Sequence, residues 1–350
     1  MKAYIRGISA LSPQRSFRNN RIPDEPVVTD NNRFRCIEPT YTDYLNPVMA
    51  RRMGRIIKMG VAAAAEALRD ANVEMPGAIT AGSALGCLGD TEKFLTSVIR
   101  DDEQFLTPTH FIQSLQNTVS AQIALQLKCN NHNFTFVHKG FSFESAVLDA
   151  IMMLDENETD DILVGGLDEM TDHNHLIYNR LGIWRDQMAT SAALYKHPAK
   201  GTIAGEGAAF FVIGTKPGSH DYGILKEVKT FFSPTTDELK ASIDQILISH
   251  QIRKEEMVML WGMNGDVSND SVYRVLIDQF PGMASGAFKH WCGEYQTSSA
   301  FALWLGAVIL FENRMHQNTL IAGECPDQIN SVLICNNYEN NFSLSLLTKK

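Results

Sequence analysis

The sequence predicts a layered α/β fold, and three observations carry that expectation. Segments with strand and helix periodicity alternate along the chain, which points to α/β layers with parallel strands. A strand, a sharp turn and a helix follow one another in "NFTFVHKGFSFESAVLDAIMML", residues 133–154. Both halves of the chain repeat the order helix, strand, Gly-rich turn. With 350 residues, of which 44% are hydrophobic and 20% charged, the chain can fill two domains or one large layered unit. The polar stretch "TKPGSHDYG" at 215–223 is the expected boundary between an N-terminal half, 1–215, and a C-terminal half, 220–350.

Each element has its own signal. "MKAYIRGIS" reads as a first strand rather than a cleavable leader, because it has no long apolar core. Residues 11–50, rich in Pro, Asn and Arg, lack periodicity and are expected to cross the surface as loop. "RRMGRIIKMGVAAAAEALRDANV" predicts a helix with one broad apolar face ending near Asn72. "AITAGSALGCLGD" predicts a strand and a Gly-rich turn that lacks nucleotide-loop spacing. "LTPTHFIQSLQNTVSAQIALQL" predicts a turn and then one helix. The strand–turn–helix at 133–154 follows, with the strand expected over Asn133 to Val137, and then "DDILVGGLDEM" and "GTIAGEGAAFFVIGTKP" predict buried strands. In the second half, helix, strand, helix, the buried helix of "SAFALWLGAVILFENRM" and two closing strands in "QINSVLICNNYENNFSLSLLT" are expected.

A net charge of −9 argues against nucleic acid and anionic membrane surfaces, which require a basic face. The longest apolar run, "FALWLGAVILF", is about half of the roughly 20 residues that a spanning helix needs. Six cysteines are scattered without paired spacing, which predicts reduced core thiols in a cytoplasm and no metal centre. His173 and His175 in "DHNH" have no third ligand nearby and are expected on a surface loop. No cofactor is implied.

Four segments, in order, resemble the β-ketoacyl synthase family of the thiolase fold. "RRMGRIIKMGVAAAAEALRDANV" is similar to its early helix, "ILVGGLDEM" to the strand after its nucleophile helix, "GTIAGEGAAFFVI" to its Gly-(Asp/Glu)-Gly-Ala segment, and "AFKHWCGE" to the segment containing Lys-Ser-x-Thr-Gly-His. The resemblance implies a five-layer αβαβα fold built from two similar halves. It also implies where chemistry would lie. Active members condense acyl chains with a Cys whose thiolate the helix N-terminus favours, and with two His residues that assist decarboxylation and stabilise the enolate.

Aligned on those motifs, the nucleophile position is Gly140, the first His position is Asn264 and the second is Glu294, while Lys289 and Ser142 are kept. Glycine offers nothing to acylate, and an ionised Glu repels both an enolate and a malonyl carboxylate. The Gly-rich loop that gates active synthases is replaced by Tyr338, Glu339, Asn340 and Asn341. His138 and Lys139 flank the empty tip as a possible base and cation, with a partly exposed turn as the plainer reading. Ser142 is either a substitute nucleophile or an ordinary N-cap hydroxyl. Phe141 and Phe143 either pack the core or plug the former acyl site, and Glu294 is expected to form an ion pair with Lys289.

The resemblance therefore implies a catalytically empty homologue, similar to the chain-length factors of type II fatty acid and polyketide systems. Such a subunit pairs with an active ketosynthase in routes to polyene-like lipids or pigments. "NFTFV" is expected at a two-fold or pseudo-two-fold interface, and Thr109 to Gln116 at the end of the partner's tunnel. Acyl carrier protein, being acidic, would need a local basic patch, for which Arg51, Arg52, Arg55 and Lys58 are candidates. Two other classes stay open: an acyltransferase, thioesterase or malonyl decarboxylase using His138, Ser142 or Glu294, and a homodimer that sequesters acyl chains.

Overall fold

The computed structural model describes residues 3–186 and 190–350. The first half runs β1 (Ala3–Leu11), α1 (Pro47–Ala50), α2 (Arg55–Ala71), β2 (Ala78–Gly82), α3 (Leu88–Arg100), α4 (Pro108–Gln113), α5 (Thr118–Leu127), β3 (His132–Phe136), α6 (Ser142–Asp155), β4 (Asp161–Asp168), α7 (Asp172–Arg180) and β5 (Gly207–Gly214). The second runs β6 (Gly223–Phe232), α8 (Thr236–Ser249), β7 (Met257–Trp261), α9 (Val267–Gln279), β8 (Ala284–Ala287), α10 (Lys289–Cys292), α11 (Ser298–Glu312), β9 (Leu320–Ala322), β10 (Ser331–Tyr338) and β11 (Asn341–Thr348).

Hydrogen bonding orders the strands β3-β2-β4-β5-β1-β6-β11-β10-β7-β8-β9. The order is mirrored about the β1–β6 contact: β3-β2-β4-β5-β1 on one side matches β8-β7-β10-β11-β6 on the other. The two runs join only through Ala3–Ile5 against Gly223–Leu225, so they form two sheets hinged at a short seam. The strands are not all parallel, as strand–helix alternation alone suggests. β2, β3 and β4 are parallel, as are β7, β8 and β10, but β5 and β11 return antiparallel. For β11 the reason is local. Only Glu339 and Asn340 separate it from β10, and so short a connection can join only antiparallel strands.

Three apolar clusters make the layers. One outer cluster joins α2 and α5 to the first sheet, another joins α8 and α9 to the second, and a central cluster packs α6 and α11 between the sheets. α11 is buried from Ser298 to Leu310, and its all-round apolar sequence suits a helix with sheet on both sides. Each fully buried Leu, Ile or Phe contributes about 1.5–3 kcal/mol to folding. α8 is started by a reciprocal cap between Thr235 and Glu238, and α2 is stopped by Asn72 in the left-handed conformation. Gly82 matters for the site, because a Cβ there would meet the backbone of Ser142 and Phe143. Its absence lets the start of α6 lie directly on β2.

Two local expectations are corrected. The single helix expected after Thr107 is two, α4 and α5, because Ser114 closes the first with backbone bonds to His110 and Phe111 and a side-chain bond to the carbonyl of Phe111. His173 and His175 lie on helix α7 rather than a loop, since Thr171 caps it by accepting from the Asn174 N–H at 3.1 Å. His175 is buried there and stacks on Trp184. No helix among the described residues is long and apolar enough to cross a membrane.

Candidate functional site

The elbow forms as its sequence suggests. Between β3 and α6, Lys139 adopts a positive φ of 50°, unusual for a residue with a side chain. Gly140 follows, buried under the β10–β11 hairpin. A Cβ on Gly140 would lie 2.9 Å from Tyr338 Cβ, 3.1 Å from its carbonyl oxygen and 3.2 Å from Asn341 Cβ. The space that a nucleophilic side chain would need is therefore held by the opposite hairpin. That hairpin is tightly made: Glu339 and Asn340 both have positive φ, and Asn341 Nδ2 donates to the carbonyls of Tyr338 and Glu339.

The neighbours of Gly140 are committed elsewhere. Ser142 is fully buried, and its Oγ accepts from the His138 N–H at 2.8 Å and donates to the Lys139 carbonyl at 2.8 Å. That is the bonding of a hydroxyl fastening a turn. His138 and Lys139 are exposed and line none of the cavities described below. Phe141 packs edge-on against His138, whereas Phe143 lies in the central core against Phe211.

Asn264, Glu294 and Lys289 are brought together. Asn264 sits between β7 and α9, where Asp270 accepts from the backbone N–H groups of Asn264 and Gly265, each at 2.9 Å. Its Nδ2 donates to Glu294 Oε2 at 2.8 Å, and its Oδ1 accepts from the Asp266 N–H at 3.0 Å. Lys289 Nζ lies 2.7 Å from both oxygens of Glu294 and gives a further bond to the Asn337 carbonyl at 3.1 Å. Lys289 is 0% exposed and Glu294 4% exposed, so this charge pair is out of solvent. Burial pushes the Glu294 carboxyl up, and the adjacent Lys289 ammonium is the chief opposing influence. With these bonds made, all three Lys289 protons are used, and Asn264 keeps one amide N–H beyond its bond to Glu294.

A cavity of about 740 Å³ opens above this network, with Asn264, Glu294, Asn337 and Tyr338 among its walls. Beyond Tyr338 and Glu294, which line both spaces, the interior narrows to about 20 Å³ between Glu169, Trp184 and Tyr295. That space is close to the size of one water, for which about 10–15 Å³ suffices, and far below the roughly 300 Å³ of small-molecule sites. Two buried carboxyls stand near it. Burial raises Asp168 to about 6, against bonds from Thr297, Ala84, Leu85 and Ser83. Burial likewise raises Glu169 to about 7, against a bond from the Gly89 N–H.

Sequence reasoning missed Arg185. Its buried guanidinium donates to the carbonyls of Gly201, His197 and Gly265 and so clamps two loops at the cavity wall. Nothing in "GIWRDQ" marks it, because its partners are backbone atoms distant in sequence. Cys292, close to Lys289, is fully buried, and burial pushes its thiol well up, which leaves it unreactive. Among the described residues no group of three metal-binding side chains converges.

The family model for the β-ketoacyl synthase N-terminal domain matches residues 8–217, more than half of the chain. The chain belongs to the β-ketoacyl synthase family. Solved structures agree on the thiolase-like fold. The ishigamide ketosynthase/chain length factor is 16% identical with a TM-score of 0.79, covering 100% of this chain and 99% of its own. A β-ketoacyl synthase from Burkholderia phymatum STM815 is 15% identical with a TM-score of 0.77, at 100% and 99% coverage. The AntDE:AntF complex, described as a type II PKS acyl-carrier protein with its ketosynthase bound to the hexaketide, is 11% identical with a TM-score of 0.75, at 100% and 99% coverage. No curated protein matches the sequence.

Proposed function

We propose that this β-ketoacyl synthase homologue does not condense acyl chains and instead serves as a chain-length-factor-like subunit beside an active ketosynthase. The observation that carries the reading is a Gly140 whose side-chain space Tyr338 holds, together with the mutual bonding of Lys289, Glu294 and Asn264. Condensation needs a thiol to carry the acyl group and donors to hold the enolate oxygen. This chain has a glycine for the first, and for the second a paired carboxylate and one amide N–H of Asn264.

Pairing is supported at β3, the strand that leads into the elbow. β3 is a terminal strand of the sheet, hydrogen-bonded only to β2, and Phe134 and Val137 are about half exposed beside it. An uncovered apolar edge strand invites pairing with another chain. Phe111, Ile112 and Leu115, in the segment assigned to the end of the partner's tunnel, are likewise exposed. Of the candidate basic cluster, Arg55 is tied to Glu206 and Glu38, leaving Arg51, Arg52 and Lys58 to meet an acidic carrier protein. The assembly proposed is a cytoplasmic heterodimer in fatty acid or polyketide synthesis.

The test is co-expression of this chain with a ketosynthase encoded beside it, followed by native mass spectrometry and product analysis. A stable one-to-one pair whose products lengthen with Phe111→Ala supports the proposal. Turnover of acyl or malonyl thioesters by this chain alone, abolished in Ser142→Ala or His138→Ala, supports the rival acyltransferase, thioesterase or decarboxylase reading.

A further inference from the structure

A second cavity, of about 640 Å³, lies away from the family site and shares none of its lining residues. It sits at the far end of the sheet from β3, between α9, the edge strand β9 and the chain around Tyr195. Its size falls within the roughly 300–1,000 Å³ typical of small-molecule sites. The floor is apolar, with buried Met263 and half-buried Ile277, Leu320 and Ile321. The rim carries Lys196 and Arg274, both exposed, and neither has a carboxylate within ion-pair distance among the described residues. Asp278 lies one helical turn beyond Arg274 and is the single acidic side chain on the rim among the described residues.

We propose that this cavity binds an amphipathic carboxylate, with its head between Lys196 and Arg274 and its apolar chain along Met263, Ile277, Leu320 and Ile321. A guanidinium presents paired donors that match a carboxylate, and an unengaged cation beside an apolar floor suits such a molecule better than a neutral lipid or a small inorganic anion. The cavity wall is fixed independently of any ligand. Tyr195 donates to the Met263 carbonyl at 3.1 Å and accepts from the His290 N–H at 3.1 Å. The inference is separate from the chain-length-factor reading, since it uses no residue of the Gly140 site and lies at the sheet end opposite β3.

Decanoate, titrated calorimetrically into the purified chain, tests it. Saturable binding at one site is expected, weakened about tenfold or more in the Lys196→Gln/Arg274→Gln double variant, as loss of charge-assisted bonds requires. Asp278→Asn is expected to tighten binding, decanol and acetate to bind more weakly than decanoate, and Lys200→Gln, at the other cavity, to change nothing. The four substituted residues are exposed, so thermal unfolding should show the variants folded as the parent. Absence of saturable binding, equal affinity in the double variant, or loss of binding in Lys200→Gln overturns the proposal.

Discussion

Asn264 Nδ2 donates to Glu294 Oε2 at 2.8 Å, joining through one hydrogen bond the two residues proposed to stand where active family members carry histidines. The second oxygen of Glu294 and the ammonium of Lys289 complete the set. An imidazole pair would offer two donors to a substrate oxygen. Here the Asn264 amide turns one donor onto Glu294, whose carboxylate is paired with the Lys289 ammonium. The ion pair stabilises the fold only as a unit. Removing one partner leaves the other charge buried and alone, at a cost of about 3–5 kcal/mol. Lys289→Met and Glu294→Gln should each lose that much in urea denaturation, while the double variant should recover most of it. Additive losses would mean that the two side chains do not depend on each other.

Restoring the missing thiol should not restore the chemistry. In Gly140→Cys the new Cβ meets Tyr338 at 2.9 Å from its Cβ and 3.1 Å from its backbone oxygen, so the hairpin must move. Overpacking of this kind costs about 1–3 kcal/mol. The variant is expected to unfold at lower denaturant and, in intact-mass analysis with an acyl thioester, to show no acyl adduct. Rapid acylation would show that Tyr338 does not close the elbow.

Glu169 gives a pH prediction. Its ordinary value of 4.5 is raised by burial to about 7, with Asp90 and Glu206 adding to the rise and Arg55 opposing it. The folded chain therefore binds this proton more tightly than the unfolded chain does. The stabilisation is complete below about pH 4.5 and is lost as pH rises through 7. Glu169→Gln, which keeps an acceptor for the Gly89 N–H, should gain stability relative to the parent between pH 5 and 8, by about 1–3 kcal/mol. A difference between the two that is flat with pH contradicts the assignment.

The β3 edge is tested by Phe134→Asp. Phe134 is 53% exposed in the isolated chain, so the substitution should leave thermal stability nearly unchanged. If the edge pairs with another subunit, the buried charge should abolish the dimer in size-exclusion chromatography. Retention of the dimer would move the interface elsewhere.

How far the sequence spoke differs from residue to residue. The Glu294–Lys289 ion pair was legible because the two residues lie five apart in one motif, and the fold brings that motif and the Asn264 turn to one cavity. The layers were legible from alternating periodicities, and the buried central helix from "FALWLGAVILF". Tyr338 over Gly140 was not, because it depends on two left-handed residues turning β10 tightly into β11, and Glu339 is not a residue that advertises that conformation. The clamp by Arg185 and the antiparallel return of β5 were hidden for a related reason. Both are set by tertiary pairing between segments distant in the chain, which local pattern does not record.

The most direct measurement is intact-mass and carbon dioxide-release analysis of the purified chain incubated with acyl and malonyl thioesters. Unmodified protein and no carbon dioxide above the buffer control are what a glycine at the elbow and a Glu294 paired with Lys289 predict. A stoichiometric acyl adduct, or steady malonyl decarboxylation by the chain alone, would contradict it.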